Sequence, residues 1–206
     1  MLENLKLLRE FYKKETKGWL IFHKFMTLCY YLSFGIFSRI LSRNVTKYIF
    51  RYFKIGSLPL KIQLKDDICI YHPLDAYTIF FEVVLDDIYE LKKLKRGSIV
   101  VDVGAHVGLV SVLSSKGFNA KKVISFEPCS NNFKLLKKNK EVNECKNIII
   151  HNLAVSDRKG KVKLYLGGSE THSIIKKLPG NGFENIELIT LNEALEKEPI
   201  IDLLKI

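Results

Sequence analysis

The 206 residues, 47% of them hydrophobic, suffice for one domain with a real core plus an appendage. The net charge of +11 is uneven: residues 1–56 hold eleven Lys/Arg against three Glu, residues 57–206 twenty-two against nineteen acids, which argues against nucleic acid as the default partner. Cys29, Cys69, Cys129 and Cys145 show no metal-ligand spacing and the five histidines are scattered, which speaks against a zinc site and reads as reduced thiols in a cytoplasmic protein.

Residues 1–56 form a basic, aromatic segment. Trp19 to Phe37 is apolar apart from His23 and Lys24, but its uncharged part, Phe25 to Ser38, is shorter than the roughly twenty residues a spanning helix needs. No cleavage site of a signal peptide follows it. Arg39, Arg43, Lys47, Arg51 and Lys54 then alternate with aromatic residues at helical spacing. Two readings stay open. These helices pack on the domain, or residues 18–54 lie in a cytoplasmic leaflet with Trp19, Tyr30 and Tyr31 at headgroup level.

Residues 57–97 read as a β-hairpin and a helix leading into the main domain. Lys61 to Leu64 and Ile68 to Tyr71 alternate around the turn Lys65-Asp66-Asp67. A helix from about Leu74 to Leu94, stopped by Gly97, is expected next.

Residues 98–206 read as strands and helices in alternation. Ser98 to Asp102 and Lys122 to Phe126 are apolar strand patterns, with a helix from Val107 to Lys116 between them. Ser130 is expected to cap a helix through Val142, its Phe133 and Leu136 facing inward. A third strand should run from Ile148 to near Ala154, and Lys161 to Leu166 alternates as a fourth. Gly167 to Gly182 reads as a loop and Ile186 to Ile189 as a short strand. Thr190 with Glu193 makes a capping box for a helix to Lys197. Ile200 to Ile206 is a buried-strand pattern, apolar enough to want cover on both faces.

The chemistry concentrates in Val101-Asp102-Val103-Gly104-Ala105-His106-Val107-Gly108 and Phe126-Glu127-Pro128. A strand ends in an acid and a glycine turn, a helix comes next, and a second strand ends in another acid. A doubly wound α/β sheet builds a nucleoside site in this way, the second acid accepting both ribose hydroxyls. No glycine stands at 106 or 109, so the dinucleotide fingerprint is absent, as is a lysine-bearing phosphate cradle. An acid two residues before the first glycine is instead the pattern of S-adenosylmethionine sites, where Asp102 organises the loop and faces the cationic methionine end.

From about Ile62 to Ile206 the chain resembles the FkbM family of S-adenosylmethionine-dependent methyltransferases. Besides the two motifs above, the resemblance rests on Asn152-Leu153-Ala154-Val155-Ser156-Asp157, Thr171-His172-Ser173-Ile174, Thr190-Leu191-Asn192-Glu193 and Ile201-Asp202-Leu203-Leu204-Lys205-Ile206. It implies a Rossmann-like class I methyltransferase fold of α/β type, with an N-terminal helical segment and β-hairpin. It further implies methyl transfer to a hydroxyl, often on a sugar, glycan or related small molecule. Asp102, Gly104, Ala105, His106, Val107 and Gly108 would line the methionine end, Glu127 would hold the ribose, and Ala154 and Val155 would border the adenine.

Position 106 is His where the family usually has Asn; a neutral imidazole still donates one hydrogen bond. The family's strand matching Ile200 to Ile206 leads into an acidic glycine motif that does not follow here, so the chain is expected to be the N-terminal part of a longer enzyme, its sheet incomplete at the C-terminus. No catalytic base is identified; His172, by its loop position, is the weak candidate for contact with the acceptor. Two alternatives remain: a non-catalytic truncated remnant, and an RNA methyltransferase, which the missing Asn-Pro-Pro-aromatic signature argues against.

Overall fold

The computed structural model describes residues 59–64, 66–73, 76–84, 86–167, 172, 174, 182–196, 198 and 200–206. The expected N-terminal helices, and most of the loop expected between Gly167 and Gly182, lie outside these residues. Among the described residues no helix is long and apolar enough to cross a membrane.

β1 (Pro59–Gln63) and β2 (Cys69–Pro73) form the expected antiparallel hairpin, with Ile62 opposite Ile70. The tight return is carried by Asp66 and Asp67, both at positive φ, where short polar side chains are tolerated best. The helix expected from Leu74 to Leu94 is shorter: α1 spans Tyr77–Val84 and a 3-10 turn covers Leu91–Lys93. The reason is local. Asp87 and Glu90 take positive φ, and the Asp87 carboxylate accepts from the backbone N–H of Leu91 (2.7 Å) and of Lys92 (3.2 Å). A side chain that satisfies the backbone in this way offers an alternative to continuing the helix.

The centre is a parallel sheet in the order β5-β4-β3-β9, built from β3 (Ile99–Val103), β4 (Lys122–Phe126), β5 (Ile148–His151) and β9 (Leu203–Lys205). This is the order of the first four strands of a Rossmann-like sheet, and it reverses between β3 and β9. Side-chain alternation serves both faces. Val100 and Val123 join the core with Ile62 and Ile70 of the hairpin and Val112. Val101, Ile124 and Phe126 point to the other face, against Val155, Ile189 and Ile201. β9 pairs beside β3 but is shorter than the strand expected from Ile200 to Ile206, and Leu204 and Ile206 are exposed by 40% and 81%.

Two helices connect these strands. α2 (Leu109–Val112) runs directly into a π-helical turn, Leu113–Gly117, in place of the uniform helix expected to Lys116. α3 spans Ser130–Val142, but Cys129, not Ser130, is its N-cap residue, and no side chain caps it. The Ser130 N–H goes instead to Glu184 Oε1 at 2.9 Å.

The inward face of α3 is more polar than expected. Leu136 is buried, and so are Asn132, Asn139 and Asn143, whereas Phe133 is half-buried. Asn139 exchanges two hydrogen bonds with the backbone of Tyr71 and donates to Val107 O; Asn143 exchanges two with the backbone of Cys69. These amides do for β2 what another strand would do: they satisfy its buried N–H and C=O groups.

The third strand does not continue to Ala154. It ends at His151, and the chain turns at Asn152, whose amide donates to Glu127 O and Pro128 O. β6 (Ala154–Ser156), β7 (Gly160–Tyr165) and β8 (Phe183–Thr190) make a separate sheet in the order β6-β8-β7. β8 is longer than expected because it pairs with β7 over the whole of that strand, from Gly160 opposite Leu188 to Tyr165 opposite Phe183. Thr190 does cap α4 (Leu191–Ala194), accepting from Glu193 N, but the Glu193 carboxylate pairs with Lys159 rather than closing a box, and the helix is only one turn long.

Candidate functional site

The site lies where the strand order reverses, at the C-terminal ends of β3, β4 and β9, the place where open α/β sheets take ligands. β3 ends in Asp102 and Val103, and a tight loop comes after them. Gly104 and Gly108 take φ of +67° and +81°, and His106 between them sits at +55°. The first two values are open to glycine at little cost, while His106 is held in a region that side chains seldom adopt. What holds it is β4. The Ala105 N–H donates to Phe126 O at 2.9 Å, and the His106 N–H donates to Glu127 Oε2 at 2.7 Å.

Glu127 is therefore part of the loop as well as the tip of β4. Its other oxygen accepts from the Cys129 N–H at 2.9 Å. Burial pushes this carboxyl up to about 7, against the pull of the Cys129 and His106 N–H groups and of Lys205 and Asn132. Near neutrality it can thus exist in either protonation state.

Asp102 lies beneath the loop, fully buried. Ser111 Oγ donates to its Oδ2 at 2.6 Å and shares a second hydrogen bond with Ser125 Oγ at 2.8 Å. Its Oδ1 faces Lys205 Nζ at 3.0 Å. Lys205 comes from the end of β9, in register with Asp102, and its ammonium also donates to Val103 O (3.0 Å) and Gly104 O (2.6 Å). The centroid of the Tyr89 ring lies 5.6 Å from the same nitrogen.

A cleft of about 320 Å³ opens above these groups, and Gly104, Ala105, His106, Glu127 and His172 line it. The structure thus gathers five of the expected residues on one surface. Asp102 supports that surface from below. Val107 is wholly buried, and Gly108 serves packing: a Cβ there would stand 2.3 Å from Leu136 Cδ1. Ala154 and Val155 do not reach the cleft. They sit on β6, Ala154 among Cys129, Leu164 and Leu188, and Val155 against Val101 and Phe126.

His172 reaches the cleft with its Nδ1 accepting from the Gly167 N–H at 3.2 Å. A neutral ring in that tautomer carries its proton on Nε2, so the ring is a donor there and not a base; this nitrogen is buried.

The structure adds residues that sequence reasoning missed. Glu82 and Tyr89, from α1 and the turn after it, also line the cleft, as do Asn132 of α3 and Lys205. One signal was present: a lysine within an apolar strand run needs a buried partner. Among the described residues no group of His, Cys, Asp and Glu could hold a metal ion.

The family model for the methyltransferase FkbM domain matches residues 102–206. "Methyltransferase 1" of Beauveria bassiana (strain ARSEF 2860) is 23% identical over 125 residues, covering 59% of this chain and 47% of that protein. "Methyltransferase sdnD" of Sordaria araneosa is 28% identical over 114 residues, covering 52% of this chain and 39% of that protein. The chain therefore spans less than half the length of either curated relative. Among solved structures, the FkbM methyltransferase of Methylobacillus flagellatus KT is similar with a TM-score of 0.34 and 15% identity, over 50% of this chain and 24% of that one.

Proposed function

The chain belongs to the FkbM family of methyltransferases, and from that premise we propose that it binds S-adenosylmethionine and methylates a hydroxyl of a sugar, glycan or related small molecule. One observation carries the reading: Glu127, at the tip of β4, is fastened to the His106 N–H of the glycine loop that ends β3. A carboxylate and an open backbone turn are thereby held side by side at the switch point.

The residues present fit the cofactor. Gly104 keeps the turn open, for the nearest atom to the side chain it lacks is Lys205 Nζ at 4.0 Å. Asp102, Val103 O and Gly104 O already surround an ammonium, so they suit the cationic end of an amino acid. Glu127 suits a ribose diol when it is ionised. The bound cofactor supplies an electrophilic methyl group on a sulfonium sulfur.

The chain's own part is alignment and proton handling. His172, which lines the cleft, is the side chain offered to the acceptor. Glu82, the second carboxylate that lines the cleft, takes the hydroxyl proton. The direct test is transfer of labelled methyl from S-adenosylmethionine to a panel of mono- and oligosaccharides. Labelled product that disappears in Glu82→Gln with little change in KM supports the scheme; methylation of RNA in place of every hydroxylated small molecule contradicts it.

The basic, aromatic residues 18–54 are the part of the sequence suited to an anionic cytoplasmic lipid surface. Flotation with anionic vesicles should be lost when the 206-residue chain is cut to 57–206. Equal flotation of both would contradict this.

A further inference from the structure

The ammonium of Lys205 donates to two backbone carbonyls and stands beside a buried carboxylate. It has Asp102 Oδ1 at 3.0 Å, Val103 O at 3.0 Å and Gly104 O at 2.6 Å around it. The Tyr89 ring lies beyond, with its centroid at 5.6 Å. A carboxylate, two carbonyls and an aromatic face are what a primary ammonium needs when it leaves water. The site borders the cleft, because Lys205, Gly104 and Tyr89 all line it. The lysine itself is held at the end of β9 by three residues of strand pairing, while its four-carbon stem has several rotatable bonds about which the head can swing.

We propose that Lys205 is an internal competitor for the cofactor: its ammonium fills the subsite that the amino group of the cofactor's amino-acid end takes over, and must swing aside for that end to bind. This rests on the reading that the cleft takes S-adenosylmethionine. Two cations cannot share one buried carboxylate and two carbonyls, so the ligand binds only the fraction of molecules in which the lysine has left. Its affinity for the amino-acid end is thereby lowered, and affinity for the nucleoside end is not. The exchange keeps the Asp102 carboxylate paired throughout, which avoids an isolated buried charge in either state.

Two ligands separate the ends. S-adenosylhomocysteine carries the amino acid, and 5′-methylthioadenosine lacks it. In the 206-residue chain, Lys205→Met should tighten S-adenosylhomocysteine about tenfold and leave methylthioadenosine within about twofold, by calorimetric titration. An unchanged ratio of the two affinities overturns the proposal alone. A selective loss of S-adenosylhomocysteine also overturns it, for Lys205 would then be holding the ligand's carboxylate. If neither compound binds wild type or variant, the reading of the cleft fails and takes the proposal with it.

A second measurement needs no variant. Acylation of Lys205 in the wild-type chain, followed by mass spectrometry, should accelerate several-fold with saturating S-adenosylhomocysteine, because the displaced ammonium enters solvent. Unchanged or slowed acylation in the presence of bound ligand overturns the proposal.

Discussion

The backbone N–H of His106 donates to Glu127 Oε2 at 2.7 Å, across the gap between β3 and β4. Two segments twenty-one residues apart become one rigid edge of the cleft through this bond. It lets His106 keep a φ of +55°, and it sets the Glu127 carboxylate against the lining of the cleft. Mutation of Glu127 therefore loosens the glycine loop and removes the ribose-binding group together.

The burial of Glu127 brings a dependence on pH, which the bond from His106 opposes. Burial moves the Glu127 carboxyl from 4.5 to about 7 in the folded chain. Between these values the folded state binds more protons than the unfolded one, so this group's stabilisation is complete below about pH 4.5 and is lost as pH rises through about 7. The loss from this group is up to about 3 kcal/mol. Ligand affinity runs the opposite way, because ribose hydroxyls donate to the ionised form. Affinity for S-adenosylhomocysteine should rise about tenfold from roughly pH 6 to pH 8, while urea denaturation of the unliganded chain shows stability falling. Affinity that is flat across the range would mean the diol does not meet this carboxylate.

Gly108 should tolerate no side chain. Its φ is +81°, and a Cβ would lie 2.3 Å from Cδ1 of the fully buried Leu136. Gly108→Ala combines left-handed strain with overpacking and should cost about 2–4 kcal/mol. Thermal unfolding measures this, and Leu136→Ala in the same chain should recover part of the clash without removing the strain.

Asn139 should matter more than a polar residue on a surface helix. Replacing it with Ala leaves the Tyr71 N–H and the carbonyls of Tyr71 and Val107 without the amide that serves them. A loss of about 2–4 kcal/mol is expected. Hydrogen exchange at Tyr71 should speed up more than exchange in β4, which the amide does not touch.

The parts of the fold that were legible in the sequence are those in which burial dictates residue type. β3 and β4 are runs of Val and Ile because both faces of the sheet are covered, and they fall within one residue of their expected bounds. The glycine turn was legible because positive φ demands Gly104 and Gly108. What escaped were polar residues with buried work: only Phe133 and Leu136 were expected to face inward, yet Asn139 and Asn143 seal the edge of β2. The long helix expected after the hairpin fails for a similar reason, since nothing in the apolar spacing reveals that Asp87 will hydrogen-bond the backbone ahead of it. Lys205 escaped because its partners lie some hundred residues earlier. At the site, the glycine loop and Glu127 were read from motifs, whereas Glu82 and Tyr89 come from elements whose positions only the fold reveals.

Calorimetric titration of the 206-residue chain with S-adenosylhomocysteine, beside Glu127→Ala checked for folding by circular dichroism, bears most directly on the cleft. Saturable binding at one site by the wild type, weakened about ten- to a hundredfold in the variant, is the predicted result. A folded wild-type chain that gives no heat at any of several temperatures and no thermal shift, or a Glu127→Ala variant that binds as tightly as wild type, would contradict it.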